Sequence, residues 1–118
     1  MTIENIAQAV HEINKAFCEQ IGDHSLVAWE STTQDIKDIV IAGVQFHLYN
    51  PNAGPDASHN QWMANKVAQG WVYGPVKDAA MKQHPCIVPF DQLSLNDRIK
   101  DALVMQTVHS LKTYLNAL

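Results

Sequence analysis

The residues able to do chemistry in this chain are six histidines, two cysteines and a run of aromatic and cationic side chains between positions 59 and 90. Metal binding is the first possibility to weigh. His11, His24, His47, His59, His84 and His109 form no H-E-x-x-H, and none stands three or four residues from another His or Cys on a predicted helix. His84 and Cys86 could both ligate, but a zinc site needs further ligands and nothing nominates them. No metal is expected. The same pair read as base and nucleophile lacks an oxyanion-hole motif or a Gly-rich phosphate loop. A buried thiol beside a hydrogen-bonded histidine is the preferred reading, and no catalytic residue is assigned.

The stretch around Trp62 is more informative. His59-Asn60-Gln61-Trp62 opens a predicted helix, and Lys66 follows Trp62 by four residues. Side chains at that spacing share one helix face, so indole and ammonium project together. An aromatic plane beside a cation suits a planar heterocycle that carries phosphate: stacking for the ring, charge for the oxygens. The plainer alternative has Trp62 in the core and Lys66 snorkelling over it. Spacing alone favours that alternative.

Four helical segments must position these groups. In the first, Ile6, Val10, Ile13, Phe17 and Ile21 lay one apolar stripe, with Thr2 as cap and Gly22 as stop. The second opens near Thr32, carries Ile36, Ile39, Val40, Gly43, Val44 and His47 on one side, and ends at Asn50-Pro51. Gly43 on the apolar side suggests close approach of another element. The stretch from Asn50 to Ala57 reads as a linker too short to separate domains. Ser58 caps the third helix, which runs to about Gln69, and Gly70 closes it. Trp71-Val72-Tyr73 alternates like a short strand before Gly74-Pro75 turns the chain. A helical turn is expected over Asp78–Gln83, and Cys86–Phe90 can be an edge strand at most, because of Pro89. Ser94 with Asp97 caps the last helix, whose stripe is Val104, Val108, Leu111, Leu115 and Leu118. The fold class is mainly α: a small helical bundle with one or two very short strands.

The 118 residues suit one domain, 1–118: a helical pair over 1–50 and a last helix over 94–118, with the chemistry-bearing stretch between them. Hydrophobic residues make up 47% and charged ones 17%, enough apolar content to build a core. A net charge of -4 argues against broad binding to nucleic acid or anionic membrane, and leaves local patches of opposite sign open. The amino end lacks the order of a signal peptide, and no apolar run approaches a membrane span. Cys18 and Cys86 read as reduced thiols of a cytoplasmic protein.

The pattern His59-Asn60-x-Trp62-x-x-x-Lys66-x-x-x-Gly70-Trp71-x-Tyr73-Gly74-Pro75-x-x-Asp78-x-x-x-Lys82-x-His84-Pro85-x-x-Val88-Pro89-Phe90-x-x-Leu93 resembles the signature of the ryanodine-receptor repeat. The match covers about residues 59 to 101, and its GW-x-YGP and HP-x-x-VP elements are specific. Phe90 stands where Tyr is commoner, which removes a hydroxyl. The first half has no counterpart in that signature. His11-Glu12-x-Asn14-x-x-x-Cys18, Gly22-Asp23-His24-Ser25, Trp29 and Gly43-Val44-x-x-His47-Leu48 look like the small stand-alone version found in phages and prophages.

The resemblance implies antiparallel helices with a small strand element, and a homodimer that recreates the paired repeats of the calcium-release channel. The last helix, through Val104, Val108, Leu111 and Leu115, is the first candidate for that interface. It also implies a pocket for an adenine nucleotide or an ADP-ribose-type or cyclic nucleotide messenger. The matching positions are Trp62, Lys66, His84, Cys86 and Asp101, with Asn60 and Tyr73 beside them as further candidates. Cys86 departs towards a small apolar contact. Such a protein would be a non-enzymatic, cytoplasmic binding module with no cofactor, able to sequester a host immune signal. The other reading is a phage protein-interaction or structural module without a small ligand. Partial exposure of Trp62 and Lys66 in a pocket separates the two.

Overall fold

The computed structural model describes residues 1–116. Four helices carry the chain: α1 (Ile3–Gln20), α2 (Gln34–Tyr49), α3 (Pro55–Ala68) and α4 (Leu95–Leu111). Between α3 and α4 lie two two-residue strands, β1 (Val72–Tyr73) and β2 (Gln83–His84). They pair in parallel, with Val72 opposite Gln83 and Tyr73 opposite His84. The helical bundle with very short strands is therefore what the sequence folds into.

Local chemistry explains most helix ends. Thr2 accepts from the Asn5 N–H while the Asn5 side chain accepts from the Thr2 N–H, a reciprocal cap on α1. Ser94 caps α4 through the Asp97 N–H at 3.2 Å. Gly22 and Gly70 have φ of +88° and +92°, the left-handed conformation that closes α1 and α3 without a Cβ penalty. The start of α3 differs from expectation. It opens at Pro55 behind Gly54, three residues before the expected cap at Ser58, which is buried inside the helix. Proline has no N–H to lose at a first helical position, so it begins the helix where it would break one later. The last three of the eight residues of the expected linker, Pro55 to Ala57, are thereby helical. The second helix begins at Gln34, and its Thr33 cap makes no side-chain bond.

The core joins α1, α2 and α4: Ile6, Ala7, Val10, Val44 and Val108, closed by Trp29 from the loop after α1. Val104, Leu111 and Leu115 pack against it. The stripe named as the candidate interface thus packs within the monomer through Val108, while Val104, Leu111 and Leu115 are only partly buried there. Leu118, the stripe's last member, lies outside the described residues. Ile13 and Ile21 correct the α1 stripe, being 42% and 40% exposed. The buried side drifts towards Ala7, His11 and Cys18 instead. Gly43 faces α3, but a Cβ there would meet Gln61 Oε1 at an ordinary 3.7 Å, so close approach does not require glycine.

Two expectations for the middle segment also fail. Residues 78–83 form a turn with an isolated bridge between Asp78 and Gln83, not a helical turn. The partner of β1 is Gln83–His84, and Cys86–Phe90 makes no strand. Finally, α2 buries His47 to 1% exposure with neither ring nitrogen hydrogen-bonded, its ring 6.2 Å from His109 of α4. No helix among the described residues is long and apolar enough to cross a membrane.

Candidate ligand-binding site

The end of α3 builds the site. Gly70 in its left-handed conformation lets its N–H reach the Val67 carbonyl at 2.9 Å, while the Trp71 N–H reaches the Lys66 carbonyl at 3.0 Å. This double closure folds Trp71 back over the helix it has just left. Lys66 Nζ consequently lies 4.2 Å from the centroid of the Trp71 ring and 6.0 Å from that of Trp62. The expected pairing of Trp62 with Lys66 is present. Trp71, read from the sequence only as part of a short strand, is the nearer aromatic partner.

Lys66 is only 7% exposed, so it does not snorkel to water. Among the described residues no carboxylate lies within salt-bridge distance of its ammonium. Burial lowers its pKa from the usual lysine value, helped by Lys77 and opposed by Asp35. A desolvated cation normally has an anion beside it, because removing a charge from water costs several kcal/mol. Here two indole faces substitute in part.

Pairing of β2 with β1 delivers His84 to the same place. Its ring lies 5.0 Å from Trp62 and 6.2 Å from Trp71, edge-on to both. His84 Nδ1 accepts the Cys86 N–H at 3.0 Å. That bond fixes the tautomer: in the neutral ring Nε2 carries the hydrogen and is left as a donor. Burial, then Lys77, Lys66 and Lys100, push the pKa of His84 down to about 4, so the ring is neutral at pH 7. Three ammonium groups thus act on one ring in a chain whose net charge is -4.

Cys86 adjoins His84 through its backbone, and its thiol is pushed up to about 12 by burial and by Asp97. Thiolate chemistry is therefore suppressed, and the ring nitrogen that could activate it already holds a backbone N–H. Asp101 of α4 sits 3.6 Å from His59 Nδ1, and the His59 ring in turn stacks on Trp62 at 5.6 Å. His59 has a place in the cluster that spacing did not assign. It stands three residues before Trp62, but only contact with α4 reveals it. Asn60 is exposed on α3, and Tyr73, the register partner of His84, is 55% exposed. The structure thus gathers Trp62, Lys66, His84, Cys86 and Asp101, and leaves Asn60 and Tyr73 at the periphery.

The cluster is a compact face, not a deep cleft. Trp62 and His84 are half-buried, but Lys66 is buried, which corrects the expectation that Trp62 and Lys66 would both be partly exposed in a pocket. Two surface concavities lie elsewhere and share no residue with it. One of about 260 Å³ is lined by Ile13, Leu103, Gln106, Thr107, Ser110 and Leu111. The other, of about 360 Å³, lies around Met1–Glu4 and Leu115. Among the described residues no three His, Cys, Asp or Glu side chains converge as metal ligands.

A family model described as the RyR domain aligns with residues 32–117 of the 118. It takes in α2, which the signature beginning at His59 did not reach, and leaves α1 outside.

Proposed function

Since the chain belongs to the RyR domain family, whose members are small binding or interaction modules, we propose that it is a non-enzymatic receptor for a nucleotide-derived anion, held by Trp62, Lys66 and His84. The observation that carries this reading is Lys66, buried against two indoles with no carboxylate paired to it among the described residues. A largely buried ammonium without a carboxylate partner among the described residues is unfavourable for folding and favourable for an arriving phosphate. The Nε2–H of His84 adds a neutral donor, and Trp62 an aromatic face for a base. Resemblance to stand-alone bacterial and phage members supports cytoplasmic capture of a nucleotide signal as its use. Pairing of two copies, as in tandem repeats, belongs to the same reading, and light scattering at micromolar concentration decides it.

Titration calorimetry with ADP, inorganic phosphate and adenosine tests the division of labour. ADP should bind more tightly than either fragment, because it alone uses both the ring face and the cation. Trp62→Ala should weaken ADP by about 1–3 kcal/mol, the range for base–aromatic stacking, or roughly thirtyfold at the centre of that range. Equal affinity of ADP for wild type and a folded Trp62→Ala protein would remove Trp62 from the site.

A further inference from the structure

Behind the Trp62 ring lies a titratable pair that the proposed binding face does not use. His59 is 2% exposed, and its Nε2 is 2.7 Å from the Val88 carbonyl oxygen. A carbonyl only accepts, so Nε2 carries the hydrogen and donates. The neutral ring then turns the Nδ1 lone pair towards Asp101 Oδ2 at 3.6 Å. That oxygen is buried and has no hydrogen-bond partner among the described residues. A lone pair facing a carboxylate away from water is repulsive, and one proton added to either atom makes the contact attractive.

The surrounding charges do not supply an alternative partner. On α4, Lys100 lies 3.2 Å from Asp97 and is committed there, while Asp97 also accepts from Ser94. Cys86 adjoins the pair as a neutral thiol, and His84 and Lys66 lie against Trp62, the His84 ring at 5.0 Å and the Lys66 ammonium at 6.0 Å from its ring. Burial and the neighbouring Asp97 raise the Asp101 carboxyl to about 7, against the pull of Lys100. The proton is therefore held into the neutral range.

We propose that His59 and Asp101 hold one proton between them at neutral pH, and that this protonated pair positions the Trp62 ring for stacking. The His59 ring lies against Trp62 at 5.6 Å with an interplanar angle of 26°, so a change in the pair is felt at the indole. With its proton the pair is neutral overall, and without it the pair adds a negative charge beside the anion site. Anion affinity falls as the proton leaves. The link to affinity rests on the nucleotide reading, whereas the shared proton does not.

The proton is tested without ligand, by ring ¹⁵N and indole signals of the whole protein between pH 5 and 9. His59 Nε2 should remain the donor to the Val88 carbonyl, while the Trp62 indole signal moves in one step near pH 7, where the Asp101 carboxyl titrates. Asp101→Asn should abolish that step. A wild-type Trp62 signal that is flat from pH 6 to 8 would overturn the proposal, whatever the variant does. ADP titrations at pH 6 and pH 8.5 test the coupling, with about tenfold weaker binding expected at the higher pH and little difference in Asp101→Asn. Equal affinity at both pH values in wild type would refute the coupling. If ADP fails to bind at either pH while the ligand-free step persists, the shared proton stands and the nucleotide reading fails.

Discussion

Lys66→Met is expected to melt at a higher temperature than the wild type while losing most of its affinity for a nucleotide anion. Methionine keeps the unbranched apolar stem between Trp62 and Trp71 and removes only the charge. The cation–π contact at 4.2 Å from Trp71 is worth roughly 0.5–2 kcal/mol. Desolvating an ammonium costs several kcal/mol, and no carboxylate among the described residues offsets it. The desolvation term is the larger, so the charge is a net cost of about 1–2 kcal/mol to folding. In a domain of this size each kcal/mol moves the Tm by about 4 °C. For a bound phosphate the same ammonium is a charge-assisted donor worth about 1.5–3 kcal/mol, or roughly ten- to a hundredfold in Kd. Thermal melts beside ADP calorimetry measure both quantities on one protein. A Lys66→Met protein that is less stable and binds ADP unchanged would make Lys66 a structural residue.

The second large effect is a pair of pH dependences of opposite sign that hide one another in the wild type. His84 is depressed from 6.5 to about 4, so its contribution is fully present above pH 6.5 and is lost as pH falls through 4. Between pH 7 and pH 5 that loss is about 2 kcal/mol, before any discount for its partial exposure. Asp101 is raised from 3.8 to about 7, so its contribution is absent at high pH and grows as pH falls towards 3.8. Over the same interval it gains about 2 kcal/mol. His47 adds to the acid loss, since burial and His109 lower its pKa as well. Denaturant melts at pH 7 and pH 5 separate these terms. His84→Gln should lose less stability on acidification than wild type, and Asp101→Asn about 2 kcal/mol more. Variants that track the wild type at both pH values would contradict the burial assigned to these groups.

How much of this could be read beforehand depended on whether the cause was local. The caps at Thr2 and Ser94 and the stops at Gly22 and Gly70 were legible because each satisfies backbone groups within a few residues. Trp62 and Lys66 were legible through helical spacing. The start of α3 was not, since Pro55 and Gly54 signal a break as readily as a beginning. The strand partner of β1 was not either: a two-residue strand carries no periodicity, and parallel pairing depends on how residues 74–82 cross over. The burial of Lys66 had a visible cause, the Gly70-Trp71 closure, but its result needed the turn to be built. His59 and Asp101 stand 42 positions apart and meet only when α3 packs on α4. The apolar stripe of α4 was clear in the sequence, yet a stripe cannot say whether it faces a core or a second chain.

Native mass spectrometry of the protein purified from cells, followed by denaturation and small-molecule analysis, tests the receptor reading most directly. The wild type should carry an added mass that is released on unfolding as a phosphate-bearing, base-containing molecule, and Lys66→Met purified in parallel should carry none. A wild type that emerges at its bare 13.2 kDa mass, and stays there when ADP is added at millimolar concentration, would contradict the assignment of this cluster as a nucleotide site.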